Sequence, residues 1–201
     1  RQMCIRDRVT AIGGIAVPLN PRSAETELHG LLGQLAAGGR LRAVVTDAGL
    51  RDSVSRALGE QGPPPWLVHV DELVAGPYPP EAPAVPVGED DVALMIPTSG
   101  TTGRSKLVMQ THRAHVMSGE GFPAWMELGD DERLMTALPL FHTNALAYST
   151  MGSLACGAGL ILLPRFSASG FLDAARRHGA TSFNAVGAML EMLDEQPENC
   201  L

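Results

Sequence analysis

Residues 92–106 read VALMIPTSGTTGRSK, an apolar run that leads directly into a loop of glycine and hydroxyl side chains. The run over residues 92–96 is continuous rather than alternating, which predicts a strand buried on both faces, as in a parallel sheet. Gly100 and Gly103 allow the loop backbone to turn tightly and to point several N–H groups at one anion. Because open α/β sheets bind ligands at the carboxyl ends of their strands, this stretch predicts an α/β fold with a ligand site.

The same loop carries the polar groups that a polyphosphate needs. Its hydroxyls add hydrogen-bond donors to those of the backbone, and Lys106 adds a compact positive charge. The residues predicted to bind phosphate are Thr98, Ser99, Gly100, Thr101, Thr102, Gly103 and Lys106. The spacing is not that of a Walker A loop, in which the lysine directly follows the second glycine. A flexible linker is the alternative, and the apolar runs on both sides of the loop disfavour it.

Short apolar runs alternate with helical patterns along the rest of the chain. Predicted strands cover residues 15–19, 41–46, 66–70, 92–96, 107–110, 134–138, 160–163 and 182–185. Predicted helices cover about residues 24–37, 50–58, 111–128, 145–156, 171–178 and 188–195. This alternation predicts an α/β fold with a mostly parallel sheet and flanking helices.

The composition limits the partners and the setting. The chain has 201 residues and a formal net charge of −7, which disfavours nucleic acid as a partner because few basic side chains are free to displace counterions. Its three cysteines, Cys4, Cys156 and Cys200, are widely spaced and form no Cys-x-x-Cys pair, so a reducing, cytoplasmic location is expected. Fourteen of the 15 basic residues are arginine, and the one lysine, Lys106, falls in the loop.

Neither a membrane span nor a metal site is expected. Residues 145–163 carry no charge, but their hydroxyl and glycine residues predict a buried helix followed by a strand rather than a span. His112 and His115 lie three residues apart on a predicted helix, with no third ligand nearby in sequence. We therefore interpret both histidines as part of a helix face.

Over residues 98–106 the sequence resembles the phosphate loop of the adenylate-forming (AMP-binding) superfamily, which includes acyl-CoA synthetases, peptide-synthetase adenylation domains and luciferases. The superfamily pattern is Thr-Ser-Gly-Thr-Thr-Gly-x-Pro-Lys-Gly, and this chain follows it through Gly103 and at Lys106. It departs from the pattern at Ser105, where proline is expected, and at Leu107, where glycine is expected. Loss of the proline is expected to loosen the loop, because the proline ring fixes one backbone angle.

Two other motifs extend the resemblance over about residues 9–197. Residues 13–21, GGIAVPLNP, are similar to a strand near the start of the superfamily's large domain, and residues 138–142, LPLFH, resemble its second core motif. Residues 166–171 and 176–181 look closer to carnitine/crotonobetaine and medium- or long-chain acyl-CoA ligases than to peptide-synthetase domains. The resemblance therefore points to the acyl-CoA synthetase branch.

The resemblance implies a two-step reaction. A carboxylate attacks the α-phosphate of ATP, giving an acyl-adenylate and pyrophosphate, and the thiol of coenzyme A then displaces AMP. Lys106 is the expected catalytic residue, since its charge would stabilise pyrophosphate as it leaves. Mg²⁺ is expected to bridge the phosphates, and His142 and Asn144 are expected to line the pocket for a small-molecule carboxylic acid.

The resemblance also implies a domain organisation. Residues 1–8 are interpreted as a leader that does not belong to the domain, and residues 9–201 as an internal fragment of the superfamily's large N-terminal domain. Its parts are expected over about residues 9–76, a Pro-rich connector over 77–91, and a phosphate-loop part over 92–201. The mobile C-terminal domain is not found in this sequence, so the chain alone is not expected to complete adenylation.

Two alternative functions stay open. An amino-acid adenylation domain of a peptide synthetase would use the same chemistry with a carrier-protein thiol as acceptor. A non-catalytic nucleotide-binding module would keep the fold without turnover. The departures from the superfamily pattern at Ser105 and Leu107 are what favour this second alternative.

Overall fold

The structure is a computed structural model that describes residues 2–59, 66–75, 85–98 and 105–196. The chain divides into two compact units. The first consists of Arg1–Pro86 and Pro97–Val108, and the second of Val87–Ile96 and Met109–Leu201. Each unit has a parallel sheet and a hydrophobic core of its own.

Among the residues that the structure describes, four helices and a two-stranded sheet belong to the first unit. The helices are α1 (Gln2–Ala11), α2 (Glu25–Ala37), α3 (Arg51–Gly59) and α4 (Val70–Ala75), and the strands are β1 (Ala43–Thr46) and β2 (Trp66–His69). The two strands pair in parallel, with Ala43 opposite Trp66 at one end. Strand β2 ends one residue earlier than predicted, because α4 begins directly after it.

The core of the first unit lies between α2 and α3. It consists of Leu32 from α2 and Val54, Ala57 and Leu58 from α3. The residues from α3 recur at spacings of three and four, so they share one helix face. The spacing of these residues therefore explains why α3 has one apolar face in the core.

The first twenty residues differ from the prediction. A strand is predicted over residues 15–19, but only Ala16 makes a single bridge pairing. Pro18 explains the difference, because proline has no N–H to donate to a partner strand. The interpreted leader, residues 1–8, overlaps α1, and Arg6 within it is 8% exposed. That these residues do not belong to the domain stays a prediction.

The second unit, over its described residues, is built on a three-stranded parallel sheet. Its central strand is β5 (Arg133–Thr136), with β6 (Gly159–Leu162) on one side and β7 (Ser182–Asn184) on the other. The helices are α5 (His112–Met126), α6 (Gly152–Cys156), α7 (Ala168–His178) and α8 (Gly187–Asp194). The core brings the sheet and the last two helices together through Met135, Ala137, Phe171 and Met189.

Two more strands flank the glycine-rich loop. β3 (Val92–Thr98) pairs with β4 (Lys106–Thr111). The Thr98 hydroxyl donates to the Lys106 carbonyl at one end, and His112 N–H donates to the Asp91 carbonyl at 3.0 Å at the other, so the strands run antiparallel. The α/β fold with mainly parallel strands is confirmed, and this pair is the antiparallel exception.

The helix predicted over residues 145–156 consists of two kinds of helix. A π-helix spans Asn144–Met151, and α6 follows it. In addition to the backbone bonds of this π-helix, the Thr150 hydroxyl donates to the Ala145 carbonyl, five residues earlier, at 2.9 Å. Gly119 of α5 lies against this helix so closely that a Cβ there would stand 2.8 Å from Met151 Cβ.

Candidate functional site

The glycine-rich loop begins at the end of β3 and ends at the start of β4. Thr98 is the last residue of β3, Lys106 is the first residue of β4, and both are exposed. Thr98 Oγ1 donates a hydrogen bond to the Lys106 carbonyl at 3.5 Å, so the structure brings these two predicted site residues together. Ser99, Gly100, Thr101, Thr102 and Gly103 lie outside the described residues, and their phosphate contacts stay predictions.

Strand β3 gives the loop a buried support. Ala93 and Leu94 are adjacent in sequence, so their side chains point to opposite faces of the strand. Both are buried, as is Ile96. Burial on both faces is what the continuous apolar run predicts, and the strand leaves that buried region at Thr98, which is exposed.

Ser105 connects the exit of the loop to helix α2. Its hydroxyl donates to Glu27 Oε1 at 3.1 Å, and its carbonyl accepts from Gln34 Nε2 at 3.3 Å. Glu27 and Gln34 are seven residues apart on α2, so they lie two turns apart on one helix face. Ser105 stands where the superfamily pattern has proline, and the structure supplies a restraint at this position that the sequence does not suggest.

Lys106 presents a positive charge at the exposed end of the loop. Among the described residues, no carboxylate lies within ion-pairing distance of its ammonium group. An ammonium group is a compact charge with three donors, and it binds phosphate as a point charge. Together with the hydroxyl of Thr98, it can therefore contribute to binding a polyphosphate.

His142 and Asn144 lie in the second unit, in the connection that follows the carboxyl end of β5. His142 is exposed, and its ring lies 4.6 Å from that of Phe141. Asn144 is the first residue of the π-helix and is half-buried. Within the described part of the chain, its buried Oδ1 accepts no hydrogen bond. An unpaired buried acceptor of this kind can accept a hydrogen bond from a ligand.

Two residues near the carboxyl edge of the three-stranded sheet were not predicted from the sequence. Asn184, the last residue of β7, stands opposite Thr136, the last residue of β5. Its Nδ2 donates to Ser149 Oγ on the π-helix at 2.6 Å. An asparagine at the carboxyl end of a predicted parallel strand is a signal that could have identified Asn184. Nothing local to the sequence marks Ser149 as its partner.

The described residues contain neither a metal-binding cluster nor a membrane-spanning helix. Within these residues, no three side chains of His, Cys, Asp or Glu come close enough together to hold a metal ion. His112 and His115 lie on α5, the first half-buried and the second buried. No described helix is long and apolar enough to cross a membrane. The uncharged residues 145–163 form helical segments that turn at Gly157 into β6, as predicted, but β6 is half-buried to exposed rather than buried.

Known proteins share this sequence pattern. The family model described as AMP-binding enzyme matches residues 9–200. The sulfoacetate–CoA ligase of Cupriavidus necator is 37% identical over 123 residues, which cover 61% of this chain and 23% of the ligase. The medium/long-chain-fatty-acid–CoA ligase FadD17 of Mycobacterium tuberculosis is 38% identical over 108 residues, which cover 54% of this chain and 22% of the ligase. The crotonobetaine/carnitine–CoA ligase of Salmonella paratyphi C is 37% identical over 109 residues, which cover 54% of this chain and 21% of the ligase.

Solved structures share the fold over nearly the whole chain. The inhibitor-bound N-terminal domain of FACL13 from Mycobacterium tuberculosis matches with a TM-score of 0.81 at 29% identity, covering 98% of this chain and 49% of that one. ATP-bound MatB from Rhodopseudomonas palustris matches with a TM-score of 0.80 at 25% identity, and the match covers 98% of this chain and 39% of the MatB chain. The matches thus span less than a quarter of the curated relatives and about half or less of the solved chains.

Proposed function

Because the chain belongs to the AMP-binding enzyme family, we propose that it supplies the phosphate loop for ATP-dependent activation of a small-molecule carboxylic acid. In the first step the carboxylate oxygen bonds to the α-phosphorus of ATP, and the bond to pyrophosphate breaks. In the second step the thiol of coenzyme A bonds to the acyl carbon, AMP leaves, and the thiol proton passes to solvent. The products are an acyl-CoA thioester, AMP and pyrophosphate.

The observation that carries this proposal is the match to the family over residues 9–200, which spans the loop from Thr98 to Lys106. In the proposed role, the hydroxyls and backbone N–H groups of residues 98–103 hold the β- and γ-phosphates. Lys106 adds positive charge where negative charge accumulates as pyrophosphate leaves, so it stabilises the transition state more than bound ATP. Mg²⁺, when bound, would neutralise part of the negative charge of the phosphates.

Coenzyme A as the acceptor is supported by the curated relatives, each of which is named as a CoA ligase. Their names give different acids, so the proposed substrate is a carboxylic acid as a class. His142 and Asn144 are proposed to line its pocket, on the strength of the LPLFH motif and the unpaired Asn144 Oδ1. A cytoplasmic setting, expected from the cysteine spacing, also stays a prediction.

The direct test is to follow the products formed by the full-length protein from ATP, coenzyme A and a panel of carboxylic acids. The panel contains sulfoacetate, carnitine, crotonobetaine, and straight-chain acids of increasing length. We expect AMP, pyrophosphate and an acyl-CoA of the matching mass to form with at least one acid. Adding hydroxylamine in place of coenzyme A traps the acyl-adenylate as a hydroxamate.

Three outcomes separate this function from the alternatives. Release of ADP and phosphate would contradict adenylate formation altogether. Transfer of the acyl group to a carrier-protein thiol but not to coenzyme A would favour a peptide-synthetase domain. Tight ATP binding with no carboxylate-dependent exchange of pyrophosphate, for any acid tested, would favour a non-catalytic nucleotide-binding module.

A further inference from the structure

The two contacts at Ser105 converge on the peptide group just before Lys106. The carbonyl that Gln34 Nε2 binds at 3.3 Å belongs to the peptide bond that joins Ser105 to Lys106. Because a peptide group is planar, holding this carbonyl also fixes the direction of the Lys106 N–H and limits the path of its Cα. The next carbonyl, that of Lys106 itself, accepts from the Thr98 hydroxyl at 3.5 Å. Gln34 therefore holds the peptide group before Lys106, and Thr98 adds a longer contact after it.

Glu27 restrains the same residue through its side chain. The Ser105 hydroxyl donates to Glu27 Oε1 at 3.1 Å, a bond to a charged acceptor. Glu27 and Gln34 stand about 10 Å apart along the axis of α2, given the rise per helical residue. Their long side chains thus hold Ser105 by two different groups from two turns of one helix.

We propose that Glu27 and Gln34 are positioning residues for the phosphate loop, and that they replace the restraint a proline at position 105 would supply. This inference rests on the proposed function, because it assumes that Lys106 binds the phosphates of ATP. A proline ring fixes φ near −65°, whereas serine leaves that angle free. The two hydrogen bonds between Ser105 and helix α2 restrict the conformation of the same backbone segment without a proline ring.

The test measures the KM for ATP and kcat for acyl-CoA formation in variants of the full-length protein. Glu27→Ala and Gln34→Ala each remove one contact, and each is expected to raise the KM for ATP about three- to tenfold, the effect of one such hydrogen bond. Glu25→Ala is the matched control, because Glu25 is also in the first turn of α2 but pairs with Arg56 instead. It is expected to leave the KM within about twofold of the original value.

A rescue experiment separates positioning from general loss of stability. In the Glu27→Ala background, Ser105→Pro restores the ring that the family pattern carries, and it is expected to return the KM for ATP to within about twofold of the starting protein. Thermal unfolding of every variant is recorded alongside. If the role is merely structural, the KM for ATP will rise in proportion to the loss in unfolding temperature, and Ser105→Pro will not restore the KM.

The outcomes distinguish this inference from the proposed function. The positioning role is overturned if the KM for ATP is unchanged in both Glu27→Ala and Gln34→Ala, or if it rises equally in Glu25→Ala. Either result leaves the proposed formation of acyl-CoA unaffected. A starting protein that forms no acyl-CoA overturns the proposed function. Equilibrium binding of ATP then tests the positioning role independently, since both variants must weaken binding without any turnover.

Discussion

The side chains of Asn184 and Ser149 are joined by a 2.6 Å hydrogen bond, although 35 residues separate them in sequence. Asn184 ends strand β7, and Ser149 lies fully buried in the π-helix that begins at Asn144. The bond therefore ties the carboxyl edge of the parallel sheet to the element that carries one of the proposed pocket residues. Ser149 is fully buried and Asn184 is half-buried, so bulk water does not reach the Ser149 hydroxyl.

We expect Ser149→Ala to destabilise the protein by about 1–3 kcal/mol, because it removes the acceptor of this bond in a buried place. Urea unfolding of the variant measures the loss. Ser169→Ala is the control, since Ser169 is exposed on α7 and alanine is the better helix former there. Equal stability of Ser149→Ala and the starting protein would show that the bond contributes nothing.

Two glycines of helix α5 give a second, internally matched prediction. A Cβ at Gly119 would stand 2.8 Å from Met151 Cβ, whereas a Cβ at Gly121 would meet nothing within 4 Å. Gly119→Ala is therefore expected to destabilise the protein by about 1–3 kcal/mol through overpacking. Gly121→Ala is expected to stabilise it by up to about 1 kcal/mol, because alanine favours the helix. Chemical denaturation of both variants measures the difference, and the same sign for both would contradict the close approach.

The ion pair between α2 and α3 predicts how stability changes with pH. Arg56 lowers the pKa of Glu25, first through a hydrogen bond at 2.7 Å to Oε1 and then through its charge. A lowered pKa in the folded state adds stability above the unfolded pKa of about 4.3, and that stability is lost as pH falls through the folded value.

Arg56→Ala should accordingly lower the unfolding midpoint at pH 7 and make a smaller difference near pH 2, because the stability that comes from the lowered pKa of Glu25 is lost as the pH falls through its folded value. Added salt should shrink the difference at pH 7, because both side chains are more than half exposed. Thermal unfolding at both pH values checks this. A difference that is as large at pH 2 as at pH 7 would mean that Arg56 acts through packing rather than charge.

Local signals explain which elements could be predicted from sequence. The run over residues 92–96 and the cap at Thr111, whose side chain accepts from the Ala114 N–H, define β3 and α5 from neighbouring residues alone. The prediction of a strand over residues 15–19 was wrong, because an apolar pattern does not show whether a partner strand is available and Pro18 removes one donor N–H. The π-helix could not be predicted, since its apolar pattern resembles that of an ordinary buried helix and its close contact with Gly119 comes from another element.

In the candidate site, too, the residues that could be predicted are those whose signals lie close together in sequence. That Thr98 and Lys106 stand at the two ends of one loop could be predicted, because the glycines and hydroxyls between them lie in one short stretch, and their binding of phosphate stays a prediction. Glu27 and Gln34 could not be predicted, because they reach Ser105 across 78 and 71 residues of sequence. Such contacts depend on where α2 packs, and no pattern within α2 itself indicates a partner for these two side chains.

The role of Lys106 is tested most directly by the rate of carboxylate-dependent exchange between ATP and pyrophosphate in Lys106→Ala. With the full-length protein and an accepted acid, we predict a loss of about 100-fold, the size expected when one preorganised group is removed from the site of developing charge. Arg56→Ala, which also removes one exposed positive charge, should exchange at the original rate. Exchange by Lys106→Ala at the rate of that control would contradict the assignment of Lys106 to the phosphates.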